Sequence, residues 1–261
     1  MKKALVILFV AFIGGFLLLN IALPDRTFSD MENRNLAGKP ALSLESVLSG
    51  QFESDAESYV TDQFALRDHW IALKAYAERL LGKRENNGVY ICSDTLIERI
   101  DEPDADRLAA NLSAVNRFAE SSAVPVYFTL IPSAAEIWRD KLPAGAPRCD
   151  ERALIERLAA DTKAAYIDTL SALSAHSDEA LYYRTDHHWT SLGALYGAQA
   201  LLDGMGIETC AADSAPVRVT DAFYGTLYSR SGARYIQPDG IDVYVPGGEI
   251  TVTHIEGEKE V

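Results

Sequence analysis

The sequence is short of cysteine, of basic residues and of any nucleotide-binding signature. Its three cysteines, Cys92, Cys149 and Cys210, are widely spaced and form no C-x-x-C pair, which removes the paired-thiol spacing of a structural zinc site. An odd count argues against a disulfide-built fold. One disulfide is compatible with an oxidising compartment, and the plainer reading is three small, buried or half-buried side chains. Lys and Arg number 24 against 38 for Asp and Glu, a net charge of −14. A surface this acidic repels the nucleic-acid backbone and anionic lipid head groups, so no nucleic-acid partner is expected. Nothing resembles a phosphate loop or a dinucleotide fingerprint, and no cofactor is implied. There is no internal repeat and no low-complexity tract.

What the chain does have is a long apolar run. After Met1-Lys2-Lys3, residues 4–23 are apolar almost without a break, Asn20 being the one strongly polar member. A helix of about 20 residues spans the roughly 30 Å hydrocarbon core of a bilayer. A cleaved signal peptide has a shorter apolar region and ends at small residues. Here Leu18, Leu19, Ile21 and Leu23 run to Pro24 without an A-x-A pattern. The reading is an uncleaved single-pass anchor, with a cleaved signal as the alternative. The two lysines stay cytoplasmic, so the rest of the chain is extracytoplasmic either way.

The remaining chain has the length and the 48% hydrophobic, 24% charged composition of one globular domain. The expected organisation is an anchor or signal over 1–23, a Pro- and Gly-punctuated stalk over 24–43, and an α/β domain over 44–261. Helices are predicted over 44–60, with an interruption at Ser49-Gly50, and over a second stretch carrying Trp70, Leu73, Ala77, Leu80 and Leu81 at helical spacing. Residues 85–100 predict a hairpin, Val89–Ile91 against Leu96–Ile97. An amphipathic helix follows from Asp104, with Leu108, Leu112, Val115 and Phe118 on one face. The run VPVYFTLI at 124–131 has the length and apolarity of a buried parallel strand. A helix over 150–164 and a short strand at 166–168 complete a βαβ unit, hence a parallel sheet covered by helices.

The chemistry gathers in YYRTDHHWTS, residues 182–191. Thr190 is suited to cap the helix that follows, which places the histidines on a loop before a helix N-terminus. Asp186 and His188 face the same way if the segment is extended, whereas a turn between them brings carboxylate against imidazole. An Asp–His contact fixes the ring tautomer and stabilises the imidazolium, the base-plus-orienter half of a nucleophilic triad. The bland alternative is an Asp that caps the loop beside two histidines satisfied by the backbone. His187, Trp189 and Arg184 flank the pair as site-lining candidates. Ser133, at the carboxyl edge of the 124–131 strand, is a pocket-lining or helix-capping residue and a stand-in nucleophile. Arg234, in a polar stretch that includes Tyr224-Gly225-Thr226, is placed to meet an anionic group, although a solvated turn explains that stretch equally well. No metal is expected, since adjacent histidines rarely chelate one ion and no fourth ligand is evident.

The segment YYRTDHHWTSLGA resembles the DHHW family of bacterial extracytoplasmic proteins, which is similar in turn to the SGNH-hydrolase-like domains of alginate O-acetyltransferases. Further matches are DQFALRDHW at 62–70, KRENNGVY at 83–90, VPVYFTLIPSAAEI at 124–137 and DAFYGTLYSRSGARYIQPDGI at 221–241. The resemblance implies a three-layer, circularly permuted SGNH-like α/β fold, with Asp186 and His188 as the catalytic Asp and His. It implies an esterase or O-acyltransferase acting on cell-envelope or secreted polysaccharide, with an acyl-donor partner; the alternative is a non-catalytic module binding glycan or an envelope partner. In that family the serine nucleophile lies after the D-x-H segment, in a strand-to-helix turn. No such block follows His188, and Asp213-Ser214 is poorly placed for the role. The expectation is therefore a chain that is C-terminally incomplete, or one in which another residue serves as nucleophile, or a protein that is not catalytic.

Overall fold

In the computed structural model the described residues are 2–29, 31–32, 34–208, 215–245, 255–256 and 259–260. Cys210 and the Asp213-Ser214 pair lie outside them. The apolar run forms one helix, α1 (Lys2–Ala22), with a mean hydropathy of 2.7 and no buried residue across its apolar window. Residues 24–43 carry a small antiparallel pair, β1 (Phe28–Ser29) and β2 (Arg34–Asn35). This segment lies against the next helices, because Arg34 bridges to Asp62 at 2.6 Å and Ala37 N–H donates to the same carboxylate.

The expected first helix is two, α2 (Leu44–Leu48) and α3 (Gln51–Asp62). The break falls at Gly50, whose φ of 78° is open to glycine and strained for other residues. A tight corner leads to α4 (Arg67–Leu80). Then comes an antiparallel sheet of β3 (Glu85–Asn86), β4 (Val89–Ile91) and β5 (Leu96–Glu98), in that order. Successive strand residues point to opposite faces. Val89, Ile91 and Leu96 accordingly join one buried cluster with Leu227, Tyr228 and Ile236, while Tyr90 and Ile97 join another with Trp138, Leu173 and Leu181. Both faces are covered at β4 and at the start of β5, which is why Val89–Ile91 and Leu96-Ile97 read as unbroken apolar runs.

Helix α5 (Ala105–Ser121), capped by Asp104, leads to β6 (Tyr127–Phe128), which pairs in parallel with β7 (Ala165–Tyr166). Between them lie α6 (Ala134–Ile137), a 3-10 turn and α7 (Glu151–Asp161). The strand predicted over 124–131 is thus two residues long. Tyr127 and Phe128 are only half-buried, α5 buries no residue fully, and β6 has one strand neighbour among the described residues. A ladder on one side alone holds little of an eight-residue run. The fold is a mixed α/β one, but the described sheet is mostly antiparallel hairpins with this single parallel pair.

Asp168 caps α8 (Thr169–Ser174), and Thr190 caps α9 (Ser191–Gly204) by accepting from Gly193 N–H at 3.2 Å. The last described region pairs β8 (Val217–Phe223) antiparallel with β9 (Asp239–Val243), with α10 (Thr226–Ser231) between them. Cys92 and Cys149 are buried free thiols, and burial pushes each up to about 11.

Candidate active site

The loop between α8 and α9 closes on itself. Thr190 N–H donates to Leu181 O at 2.8 Å, Tyr183 N–H to His188 O at 3.1 Å, and Tyr182 faces Trp189 in an antiparallel bridge. Residues 184–187 form the tip, whose ties to the rest of the domain include bonds through Leu96, Asp239 and Tyr228. Leu96 N–H donates to Arg184 O at 2.8 Å, joining the loop to the edge of β5. Asp239 takes the Arg184 and Thr185 N–H groups, both at 2.9 Å, and the Thr185 hydroxyl at 2.5 Å. Tyr228 N–H donates to Thr185 O at 3.0 Å.

This frame holds Asp186 with its side chain only 5% exposed. Its Oδ1 accepts the His188 backbone N–H at 3.0 Å and the His188 ring Nδ1 at 2.6 Å. Its Oδ2 accepts the Thr226 N–H at 2.7 Å and the Thr226 hydroxyl at 3.0 Å. The turned geometry, not the extended one, is therefore the one present: an Asx turn closes on the imidazole. Burial raises the proton affinity of this carboxyl, but the bonds from Thr226 and His188 outweigh it and hold Asp186 at about 2.

Proton positions follow from valence. A carboxylate only accepts, so the ring proton of His188 lies on Nδ1 and leaves Nε2 as the acceptor of the neutral ring. Thr226 gives its one hydroxyl proton to Asp186, so it accepts from His187 Nδ1 at 2.9 Å. Both imidazoles thus direct Nε2 away from the carboxylate, with ring centroids 4.0 Å apart. The side chain of His188 is 66% exposed. Gly225 makes this possible, since a Cβ there would overlap both the Asp186 Cβ and its carboxylate.

His187, His188 and Trp189 line a cavity of about 310 Å³ together with Tyr182, Ser133 and Glu98. Trp189 is fixed against α9, where a Cβ at Gly197 would strike its ring. Tyr182 reaches across to donate to Pro132 O. Ser133 sits at the start of α6, and both its N–H and its hydroxyl donate to Glu151, at 2.8 and 2.6 Å. Arg184 turns away: its Nε is 3.3 Å from Asp239, and it lines a neighbouring cavity of about 580 Å³. Arg234 stacks 4.6 Å over the Tyr228 ring and donates to Tyr228 O at 2.9 Å, outside the lining of the His188 cavity. Asp186, His187 and His188 keep a ligand atom each within 4.8 Å of one another. The 2.6 Å Asp186–His188 separation is that of a hydrogen bond, whereas two ligands of a tetrahedral zinc lie roughly 3.3 Å apart given its bond lengths.

Two holding residues escaped the reading of the sequence. Asp239 lies more than 50 positions from the loop it clamps, and no spacing rule links the two. Glu151 reads as an ordinary acid in the first turn of α7 and gives no sign of its bond to Ser133. The Gly225-Thr226 pair was visible as part of a polar stretch, but not its grip on Asp186.

With this geometry in place, the family is clear: the chain belongs to the SGNH hydrolase-like domains of the acetyltransferase AlgX type, whose profile matches residues 90–221. It is 25% identical over 214 residues to a probable alginate O-acetylase AlgJ of Pseudomonas syringae pv. tomato, covering 77% of this chain and 52% of that protein. The chain thus spans about half the length of that curated relative. In structure it is similar to a DHHW family protein from Eubacterium siraeum, with a TM-score of 0.54 and 28% identity over 62% of this chain and 56% of that one. The DHHW resemblance and the SGNH-like class read from the loop are therefore met.

Proposed function

We propose that this domain performs SGNH-type acyl transfer or ester hydrolysis on an extracytoplasmic polysaccharide. The observation that carries the proposal is the buried Asp186 carboxylate 2.6 Å from His188 Nδ1, with the ring exposed at a cavity mouth. Family membership and the similarity to a probable alginate O-acetylase support it. His188 Nε2 takes the proton of an attacking hydroxyl as its oxygen bonds to the acyl carbon. The imidazolium, stabilised by Asp186, returns that proton to the departing alkoxide as the old C–O bond breaks. The attacking hydroxyl is unassigned, because Ser133 donates to Glu151 and no hydroxyl among the described residues bonds His188. That same observation favours a second reading, a non-catalytic module that binds glycan through this cleft. In either case α1 anchors the domain on the outer face of the membrane.

The test is acetyl release from an activated ester, and transfer to polysaccharide, by the intact protein and by His188→Ala. Acyl chemistry predicts a loss on the order of 10²–10⁴-fold on removing the base. Equal background rates, with glycan binding retained in both proteins, would reject catalysis in favour of the binding module.

A further inference from the structure

The strongest feature outside the site is the corner between α3 and α4 and the apolar stripe that runs from it. Leu66, Trp70, Leu73, Ala77, Leu80 and the capping Leu81 fall within about a third of the circumference of α4. All but Leu66 are the residues whose helical spacing predicts this helix, a pattern that ordinarily marks a buried face. Instead they point outward, Leu73 being 57%, Leu80 89% and Leu81 87% exposed. The helix packs on the domain through its opposite side, where Ile71 and the buried Ala75 meet Gly232. Helix α4 is therefore apolar on two sides, and one of them is uncovered.

The place of this corner along α1 identifies what covers it. The Phe16 ring lies 5.5 Å from Trp70 and 6.0 Å from Phe64, and Asn20 Oδ1 accepts Ala65 N–H at 2.8 Å. Phe16 is six residues short of the end of α1, about 9 Å along its axis at 1.5 Å per residue. The apolar run is only about as long as a bilayer core is thick, leaving little slack to raise Phe16 into water. A corner fixed to Phe16 then sits in the outer leaflet, at the roughly 5–10 Å depth where amphipathic helices lie.

Most polar groups of the corner suit that depth because they are bonded within the protein; Arg67 Nη1 and Asp68 Oδ1, buried 3.9 Å apart, are held by charge alone. Trp70 Nε1 donates to Ala65 O at 3.2 Å. The Gln63 amide donates to Arg26 O and Ala37 O, both at 2.9 Å, and accepts Arg26 N–H at 2.9 Å. Arg26 pairs with Asp68 at 2.9 Å. His69 and Lys74 flank the stripe, where polar heads can reach the head groups.

We infer that the α3–α4 corner and the outer stripe of α4 are a membrane seat, resting on the head-group boundary of the outer leaflet beside α1. The inference rests on α1 spanning the bilayer. With the seat added, the domain rests on the bilayer surface through two elements.

The test uses the full chain in phosphatidylcholine vesicles whose lipids carry bromine at shallow or deep acyl positions. Comparison with Trp70→Phe isolates the Trp70 emission from that of Trp138 in the core and Trp189 at the site. The seat predicts loss of most of the Trp70 component with shallow bromines and a smaller loss with deep ones. Alkaline extraction of the same vesicles reads the anchor separately. Protein that resists extraction yet shows no quenching of Trp70 overturns the seat and leaves the anchor standing. Protein washed off overturns the anchor reading, and the seat with it. Emission that is shielded from bromine and changes with the protein-to-lipid ratio means that a second copy covers the stripe, which also overturns the seat. Leu73→Glu with Leu80→Glu is the second variant. It faces away from the domain, so it should keep the folded-state spectrum while reducing the shallow quenching of Trp70.

Discussion

The two polar ends of the His188 cavity are built in opposite ways. At one end, Asp186 accepts four hydrogen bonds from two chain segments and leaves the exposed His188 ring with an acceptor nitrogen to spare. At the other end, the Ser133 hydroxyl and N–H are both committed to Glu151. Each end has a carboxylate and a proton donor within 2.6 Å, so polarity alone does not tell them apart. Spare valence does. At the imidazole end His188 Nε2 accepts no bond from the described residues and is open to a substrate proton, whereas at the other end both carboxylate oxygens of Glu151 are turned to Ser133 itself.

The largest expected effect comes from Asp186→Asn. The amide keeps the size of the side chain but cannot serve as a purely accepting partner on both oxygens, so the ring loses its tautomer and its counter-charge. If His188 is the base, acyl-transfer rate should fall on the order of 10³–10⁴-fold with little change in KM. Steady-state kinetics on an activated ester reads both constants. A rate unchanged by this substitution would place the working base elsewhere in the cavity.

Gly225→Ala attacks the same end from the other side. Its methyl group would occupy space held by the Asp186 carboxylate and lift the Thr226 N–H away from it. Overpacking of this kind costs roughly 1–3 kcal/mol, which thermal or urea unfolding would show. A variant as stable as the parent would mean that the loop yields easily and that the dyad is less firmly held than its bonds suggest.

Acid sharpens the comparison further. Asp186 stands at about 2 against an ordinary 3.8, so the folded state binds its proton more weakly than the unfolded chain does. The stabilisation is present in full above about pH 4 and drains away as pH falls through 2. Its size is about 2 kcal/mol at most. Asp62, also held at about 2, chiefly by its bond from Arg34, fades over the same range. Asp186→Asn should therefore flatten part of the acid limb in urea unfolding and leave the Asp62 part in place.

How far these features were legible in the sequence depended on distance along the chain. The hairpin Val89–Ile91 with Leu96–Ile97, the break at Gly50, the helix start at Asp104 and the cap at Thr190 are local, and they appear where the residues predict them. So does the Asp186–His188 contact, which spans two residues. The clamps that make the contact firm come from Thr226 and Asp239, and no periodicity reaches that far. The 124–131 run fell short for a different reason: composition reports how apolar a strand is, but not how many neighbours pair with it. The stripe on α4 misled in the same way, since spacing identifies an apolar face without saying what solvent that face meets.

The smallest expected effect is at the Ser133 end, and it decides the comparison. Glu151→Gln keeps one carbonyl-type acceptor and replaces the other with an amide donor, so one of the two bonds from Ser133 is lost. The cost should be about 1 kcal/mol of stability, the usual net worth of one hydrogen bond. Acyl-transfer rate should stay within a few-fold of the parent, because Glu151 touches Ser133 and not His188. Should Glu151→Gln instead abolish turnover while Asp186→Asn does not, the carboxylate at 151 would be drawing the proton from Ser133 as nucleophile. The Asp186–His188 pair would then be the structural end of the cavity.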